Sequence, residues 1–377
     1  MRLLLTGGGT AGHVNPALAI AQTFIEREPD TEVLFVASCE PHDKATDLVG
    51  AAGYPLKQVH ICGMARPLWS LKNVKTVYLM GKSRREAKKI IKEFTPDLIG
   101  GTGGFACWPI VSVGADMGIP TAVHESNAKP GKAIMQVRHK VDKIMVNFPQ
   151  TVDQLDLKDG QARVVRVGNP HMSGFSTMTR KEARHKIGLK EDQLYVLSFG
   201  GSLGAQYVSD AVLDMMAYLH ANVPTAVCLH AAGKQDYKRL KERFDGMNLG
   251  TQMKLVDYIY DMPVQMLAAD IVISRAGAMS ISELALTGKA AVVVPSPYVA
   301  DQHQLKNAQA LSSRGAGVCV DEATLSEGAL THAVCCLIEE PVLRTSMGEN
   351  IRAGFAVPDA NDRIYDELKK ICDKKGK

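Results

Sequence analysis

Apolar residues in this chain fall into short runs that end in glycine, and between those runs they recur at helical spacing. Arg2 to Thr6, Thr31 to Ser38, Asp97 to Gly100 and Pro120 to Val123 read as strands, with helices over His13 to Ile25 and Asp43 to Ala52. The alternation restarts later, with strands over Gln193 to Ser198, Thr225 to His230, Ile271 to Ser274 and Ala290 to Val294. A helix is expected from about Ala205 to Leu219, and another from about Ala278, closed by Gly288. Strands that alternate with helices predict an α/β chain with parallel, doubly wound sheets, and the restart predicts two such Rossmann-like domains. The duplication is one of architecture, not of sequence. Pro170 in Val167-Gly-Asn-Pro170 ends regular structure, which sets the domains at 1–167 and 168–356. The last helical stretch, Asp359 to Cys372 within 357–377, is expected to pack back on the first domain.

Each half carries two glycine turns after strands: 7–12 and 101–104 in the first, 199–204 and 275–277 in the second. Ligands of such sheets bind at the carboxyl ends of the strands, so the two sets of turns predict a cleft between the domains. The turn Arg275-Ala-Gly277 delivers the chain into a helix whose first N–H groups lack partners and whose dipole favours an anion. Ala278, Met279 and Ser280 form that start. Glu283 lies one turn on, where a carboxylate can accept two neighbouring hydroxyls. A diphosphate beside a ribose diol describes a nucleotide-sugar. Ser280-x-x-Glu283 is equally the sequence of a capping box, and spacing alone leaves both readings open.

Gly7 to Gly12 also satisfies G-x-G-x-x-G, and Glu40 after the second strand would serve as the ribose acid of a dinucleotide fold. Against that, His13 follows the last glycine directly, where an imidazole is placed for proton transfer. Its ordinary alternative is a hydrogen-bonded residue of the first helical turn. His124, Glu125 and Asn127 cluster at a strand end, as a polar group for the cleft or as a satisfied turn before Pro130. Ser202, after Gly200 and Gly201, reads as a phosphate contact or an N-cap. Gln304 and Asn307 offer amides suited to sugar hydroxyls, or belong to a polar loop. The chain has no D-x-D, no P-loop and no G-x-S-x-G. Helix starts, rather than a metal bridge, are therefore expected to carry diphosphate charge, and neither a metal site nor a cofactor is expected.

Composition changes this picture little. The 377 residues suit two domains, with 46% hydrophobic and 22% charged residues, as in a globular protein. A net charge of +4 argues against a nucleic-acid partner. Eight scattered cysteines without a C-x-x-C pair suit a reducing compartment. No apolar run is long enough to span a bilayer, and the N-terminus has no signal-peptide architecture. Between Lys57 and Lys92, however, ten Lys and Arg face the single acid Glu86, interleaved with Leu68, Trp69, Leu71, Val77 and Tyr78. That segment is either a solvated helix with a core face or a contact for an anionic bilayer surface.

Taken together, the motifs Gly8-Gly-Thr-Ala-Gly-His13, Gly103-Gly104, His124-Glu125-x-Asn127, Gly168-Asn-Pro170, Gly200-Gly-Ser-Leu-Gly-Ala205, Tyr258-Ile259, Ala278-x-x-x-x-Glu283 and Gln304-x-x-Asn307 run in order along nearly the whole chain. In that order they resemble the MurG family of bacterial glycosyltransferases. The resemblance implies a GT-B fold and inverting, metal-independent transfer of N-acetylglucosamine from UDP-GlcNAc to undecaprenyl-diphospho-MurNAc-pentapeptide, giving lipid II for peptidoglycan. It implies His13 as general base and Glu125 as support on the acceptor side. Thr10, Ala11 and Gly12 would line the reacting end of the donor, with Asn127 at its sugar. Ser202 and Ala278 to Glu283 would hold diphosphate and ribose, backbone at Ile259 would read uracil, and Gln304 the GlcNAc hydroxyls. It further implies a peripheral location on the cytoplasmic side of the cell membrane, with partners among cell-wall synthesis and division proteins.

Four residues, at three sites, depart from the family pattern. His171-Met172 stand where Val-Arg is frequent, removing a positive charge near the donor diphosphate, and Phe105 replaces a frequent Tyr. Trp108 stands where a small residue is common. The rival readings are a UDP-GlcNAc epimerase of the same architecture, a non-catalytic membrane scaffold that binds UDP-sugar, and, third, a dehydrogenase.

Overall fold

The computed structural model describes residues 1–62, 72–157, 163–171, 175, 178–200, 205–299 and 302–375. It contains two compact units: Met1–His171 together with Asp359–Lys377, and Met172–Pro358. In the first unit the strands are β1 (Arg2–Thr6), β2 (Glu32–Ser38), β3 (Leu56–Val59), β4 (Leu98–Gly101), β5 (Thr121–Glu125), β6 (Lys143–Val146) and β7 (Val164–Arg166). They form one sheet in the order β3-β2-β1-β4-β5-β6-β7, every pair parallel. In the second, β8 (Leu194–Phe199), β9 (Ala226–Ala231), β10 (Met253–Val256), β11 (Ile271–Ser274), β12 (Ala290–Val293) and β13 (Val318–Cys319) pair, again in parallel, in the order β10-β9-β8-β11-β12-β13.

The apolar runs are continuous because both faces of each sheet are covered. Along β1, Leu4 packs with Ile99, Val123, Ile110 and Ile91, while Leu3 and Leu5 pack on the opposite face with Val14, Phe24 and Phe35. The helix Ala360–Lys375 returns to that second face, inserting Ile364, Leu368 and Ile371. Tyr365 stacks at 4.9 Å from Phe24 and donates its hydroxyl to Glu28. In the second unit Val196, Cys228, Ile273 and Val292 pack under Val208, Val212 and Met216 of the helix Gln206–Asn222.

Both sheets reverse their direction of winding once, between β1 and β4 and between β8 and β11. At such a switch point the two outgoing loops diverge and leave a crevice at the carboxyl ends of the strands. The glycine turns 7–12 and 101–104 flank the first switch point, and 275–277 flanks the second. Among the described residues no helix is long and apolar enough to cross a membrane.

Candidate active site

In the first unit the two glycine turns interlock. Gly104 has φ +81° and lies so close to Gly8 that a Cβ there would come within 2.4 Å of the Gly8 carbonyl oxygen. Gly103, at φ +107°, lies under the His13 ring, where a Cβ would meet Cδ2 at 2.6 Å. The helix Ala11–Arg27 begins with Thr10 as an N-cap whose side chain makes no capping bond, and the His13 N–H is taken by the Thr10 carbonyl at 3.0 Å. Thr10 and Gly12 are exposed and Ala11 half-buried at that start.

His13 sits in the first helical turn with Nδ1 3.1 Å from the Gly8 carbonyl. A carbonyl only accepts, so Nδ1 carries the proton and Nε2 is the basic nitrogen. Two residues not foreseen from sequence secure the backbone around this ring. Thr102 donates its hydroxyl to the His13 carbonyl at 2.7 Å, and Asp43 presses against Gly8 while accepting from Ser38 N and Ala45 N. Neither carries a motif of its own. The sequence signal for Thr102 is its place inside the glycine turn 101–104; Asp43, in the loop after β2, has none.

At β5 the polar triplet does not gather into one group. Successive residues of a strand point to opposite faces. His124 turns inward and donates Nε2–H to the Gly168 carbonyl at 2.8 Å, and burial lowers its pKa to about 4, so it stays neutral. Glu125, also buried, accepts from Asn127 N (2.8 Å), Asn127 Nδ2 (3.2 Å) and Gly131 N (2.7 Å). Burial raises its pKa and these bonds oppose the rise. Glu125 therefore braces the loop that presents the half-buried Asn127.

In the second unit the helix Ala278–Thr287 starts at Gly277, which has no side chain to cap it. Ser280 is therefore the third helical residue, not the N-cap, and the capping box is absent. Glu283 lies in the second turn and makes no hydrogen bond or ion pair among the described residues. It touches solvent at its edge but lies deep among protein atoms, and desolvation alone pushes its carboxyl up to about 7. A carboxylate so placed has no protein partner among the described residues and can accept from two hydroxyl donors. The chain does contain a capping box, at Thr179 and Glu182, ahead of the helix Arg180–Lys186.

Loops around that helix supply the remaining groups. Asn307 is buried and donates to the Ala276 carbonyl at 3.1 Å, which fixes the turn and removes it from the sugar-binding set. Gln304 accepts from Ser296 N at 2.8 Å and keeps its amide N–H groups for another partner. Ile259 is buried after β10, between the exposed Tyr258 and Tyr260, and its backbone makes no hydrogen bond among the described residues. Ala278 is buried, with Met279 and Ser280 half-buried beside it. Ser202 and Met172 lie outside the described residues, as does 63–71 of the basic segment. Phe105 is half-exposed just beyond Gly104, and Arg84 lies over the Trp108 ring.

Comparison with known proteins adds to this geometry. The glycosyltransferase family 28 N-terminal domain matches residues 3–146, and the family 28 C-terminal domain matches residues 195–364. A protein of Acetivibrio thermocellus named UDP-N-acetylglucosamine–N-acetylmuramyl-(pentapeptide) pyrophosphoryl-undecaprenol N-acetylglucosamine transferase is 35% identical, covering 100% of this chain and 99% of its own. The crystal structure of Acinetobacter baumannii MurG superposes with a TM-score of 0.77 at 25% identity, over 98% of this chain and 99% of that one. A UDP-GlcNAc 2-epimerase from Neisseria meningitidis superposes at 0.65 but is 14% identical, over 98% and 100% of the chains, a likeness of fold.

Proposed function

Because the chain belongs to glycosyltransferase family 28, with two doubly wound units that make up the GT-B fold, we propose that it transfers N-acetylglucosamine from UDP-GlcNAc to undecaprenyl-diphospho-MurNAc-pentapeptide, yielding lipid II. The observation that carries the reading is Glu283. A carboxylate with no partner among the described residues, behind a helix start that lacks a side-chain cap, suits a ribose diol beside a diphosphate.

Donor binding belongs to the second unit in this reading. The backbone at Ile259 pairs with uracil, Glu283 with the ribose, and Ala278, Met279 and Ser280 with the diphosphate. Ser202 adds a hydroxyl there, and Gln304 turns its amide to the sugar. The acceptor belongs to the first unit. His13 Nε2 takes the proton of the muramoyl hydroxyl as its oxygen attacks the anomeric carbon opposite the departing UDP, inverting that centre. Thr10, Ala11 and Gly12 line the reacting end, Asn127 reaches the sugar, and Glu125 holds Asn127 in place. Charge that develops on the leaving phosphate faces the positive end of the helix Ala278–Thr287, so the helix favours the transition state over the ground state.

The protein works at an anionic membrane surface in this reading, through the helix Lys72–Phe94, where its lipid-linked acceptor resides. The test is transfer of radiolabel from UDP-GlcNAc to a short-chain analogue of the lipid acceptor, with UDP-GalNAc as control. Labelled product only from UDP-GlcNAc is the expected result. A new UDP-sugar formed without any acceptor would instead identify an epimerase.

A further inference from the structure

The carboxyl ends of the second unit's strands hold the turns described above, but the amino ends are also shaped. There a recess of about 420 Å3 opens between Ala269–Asp270 before β11, Gly288–Ala290 at the start of β12, and the helix Pro341–Phe355. Its lining includes Arg180, Lys289, Arg344 and Arg352 against two acids, Asp270 and Glu349. Asp270 is already committed: it pairs with Arg180, lies 3.3 Å from Arg184 and accepts from Tyr195 N. Lys289 lies at the floor, 7% exposed, with Nζ donating to the Leu267 carbonyl at 2.7 Å. Burial, together with Arg180, Arg352 and Arg184, disfavours its charge, with Asp270 alone opposing, and its pKa falls to about 8. The recess thus holds more positive charge than its acids balance.

Helix capping explains part of this. Lys289, Arg352 and Arg344 donate to Leu267, Thr287 and Leu337 carbonyls, at the C-terminal ends of three different helices. Capping places each cation singly. It leaves unexplained their convergence on one ligand-sized recess and the residual repulsion on Lys289. Each spends one or two hydrogens on its carbonyl, whereas lysine offers three N–H donors and arginine five.

We propose that this recess is a second anion site of the donor-binding unit, taking a small soluble molecule that bears a phosphate or diphosphate. Its volume is that of a small-molecule pocket. A floor cation this deeply buried is reached by a ligand that enters the recess, not by a flat lipid surface. The inference is independent of the donor reading, because the recess and the turn Arg275–Gly277 lie at opposite ends of β11.

Equilibrium dialysis of radiolabelled pyrophosphate against the full chain, with and without saturating UDP, tests it. One pyrophosphate per chain should remain in the presence of UDP, bound at least about tenfold more weakly by Arg352→Gln and Arg344→Gln and unchanged by Glu283→Ala. Displacement of all pyrophosphate by UDP, or UDP-resistant binding that both arginine variants retain, would overturn the proposal. So would variants that only melt earlier while the wild type binds no UDP-resistant pyrophosphate, since the cations would then be helix caps alone. Binding to phosphatidylglycerol vesicles through Arg352, without binding of pyrophosphate, would place the ligand in a lipid surface and equally defeat it.

Discussion

Two side chains carry most of the chemistry proposed here, and each is held in a way that suits one task. Removing the His13 imidazole should lower kcat by about 10²–10⁴ while UDP affinity is retained, because the base meets the acceptor and not the nucleotide. Steady-state transfer and UDP titration of His13→Ala separate the two quantities. For Glu283 the sign follows from its environment. Its folded pKa of about 7 lies above the ordinary carboxylate value of 4.5, so the folded state holds the proton more tightly than the unfolded chain. Its contribution to stability is full below pH 4.5 and is lost as the pH rises towards 7. Glu283→Gln should flatten that part of the stability profile. UDP affinity should run the opposite way, since ribose hydroxyls bind the ionised form, and should rise from about pH 6 to 8 in the wild type but not in Glu283→Gln. Taking one acceptor oxygen from the ribose diol should weaken UDP binding in the variant by about 5–150-fold, the equivalent of about 1–3 kcal/mol for a hydroxyl left unpaired. A variant that binds UDP normally would remove Glu283 from the donor site.

At the scale of elements, the interlocked glycine turns make a graded prediction. Gly104→Ala brings a Cβ to 2.4 Å from the Gly8 carbonyl at φ +81°, whereas Gly53, at φ +77°, has nothing within 4 Å. Both alanines suffer the left-handed backbone, at about 1–2 kcal/mol, but only Gly104→Ala also forces the two turns apart. Thermal melts should therefore show the larger loss for Gly104→Ala, together with reduced transfer, and a modest loss with normal kcat for Gly53→Ala. These same turns were the most legible part of the sequence, because a glycine at a strand end has few other uses. The apolar runs of β1, β2, β4, β5, β8, β9, β11 and β12 were legible for a similar reason, being covered on both faces. The edge strands β3, β7, β10 and β13 escape the pattern, and so does the inner strand β6, a short run that opens on Lys143. Leu56-Lys-Gln-Val59 and Val164–Arg166 mix polar with apolar positions, as partly uncovered strands do. Side-chain direction was the other gap. Spacing put His124 with Glu125, but the pleat separates them, and it offered Asn307 to the sugar, whereas the turn it fastens lies 31 residues earlier.

At the scale of the whole molecule, no helix among the described residues is long and apolar enough to cross a membrane, yet the proposed acceptor is lipid-linked. On the helix Lys72–Phe94 and the neighbouring β3, the described basic side chains fall into two sets. Lys57, Lys82, Arg84 and Lys89 are engaged with Glu93, Glu86, Asp116 and Glu93. Arg85, Lys88 and Lys92 have no ion pair among the described residues. They follow Tyr78 and Gly81 at steps of three and four residues, so they share one stripe with the exposed Val77 and Tyr78 beside its start. Apolar residues at one end of an unpaired cationic stripe match an anionic interface, where each cation adds about 1 kcal/mol. Arg85→Gln, Lys88→Gln and Lys92→Gln combined should then weaken binding to phosphatidylglycerol vesicles about 100-fold, and 0.5 M salt should do much the same to the wild type, as screening requires. Lys57→Gln, which removes a paired charge, should change vesicle binding far less. Transfer to a water-soluble acceptor analogue should be untouched in the triple variant, while transfer to acceptor embedded in vesicles falls with the binding. Equal losses on both acceptors would mean that the stripe serves the fold or the site, not the membrane.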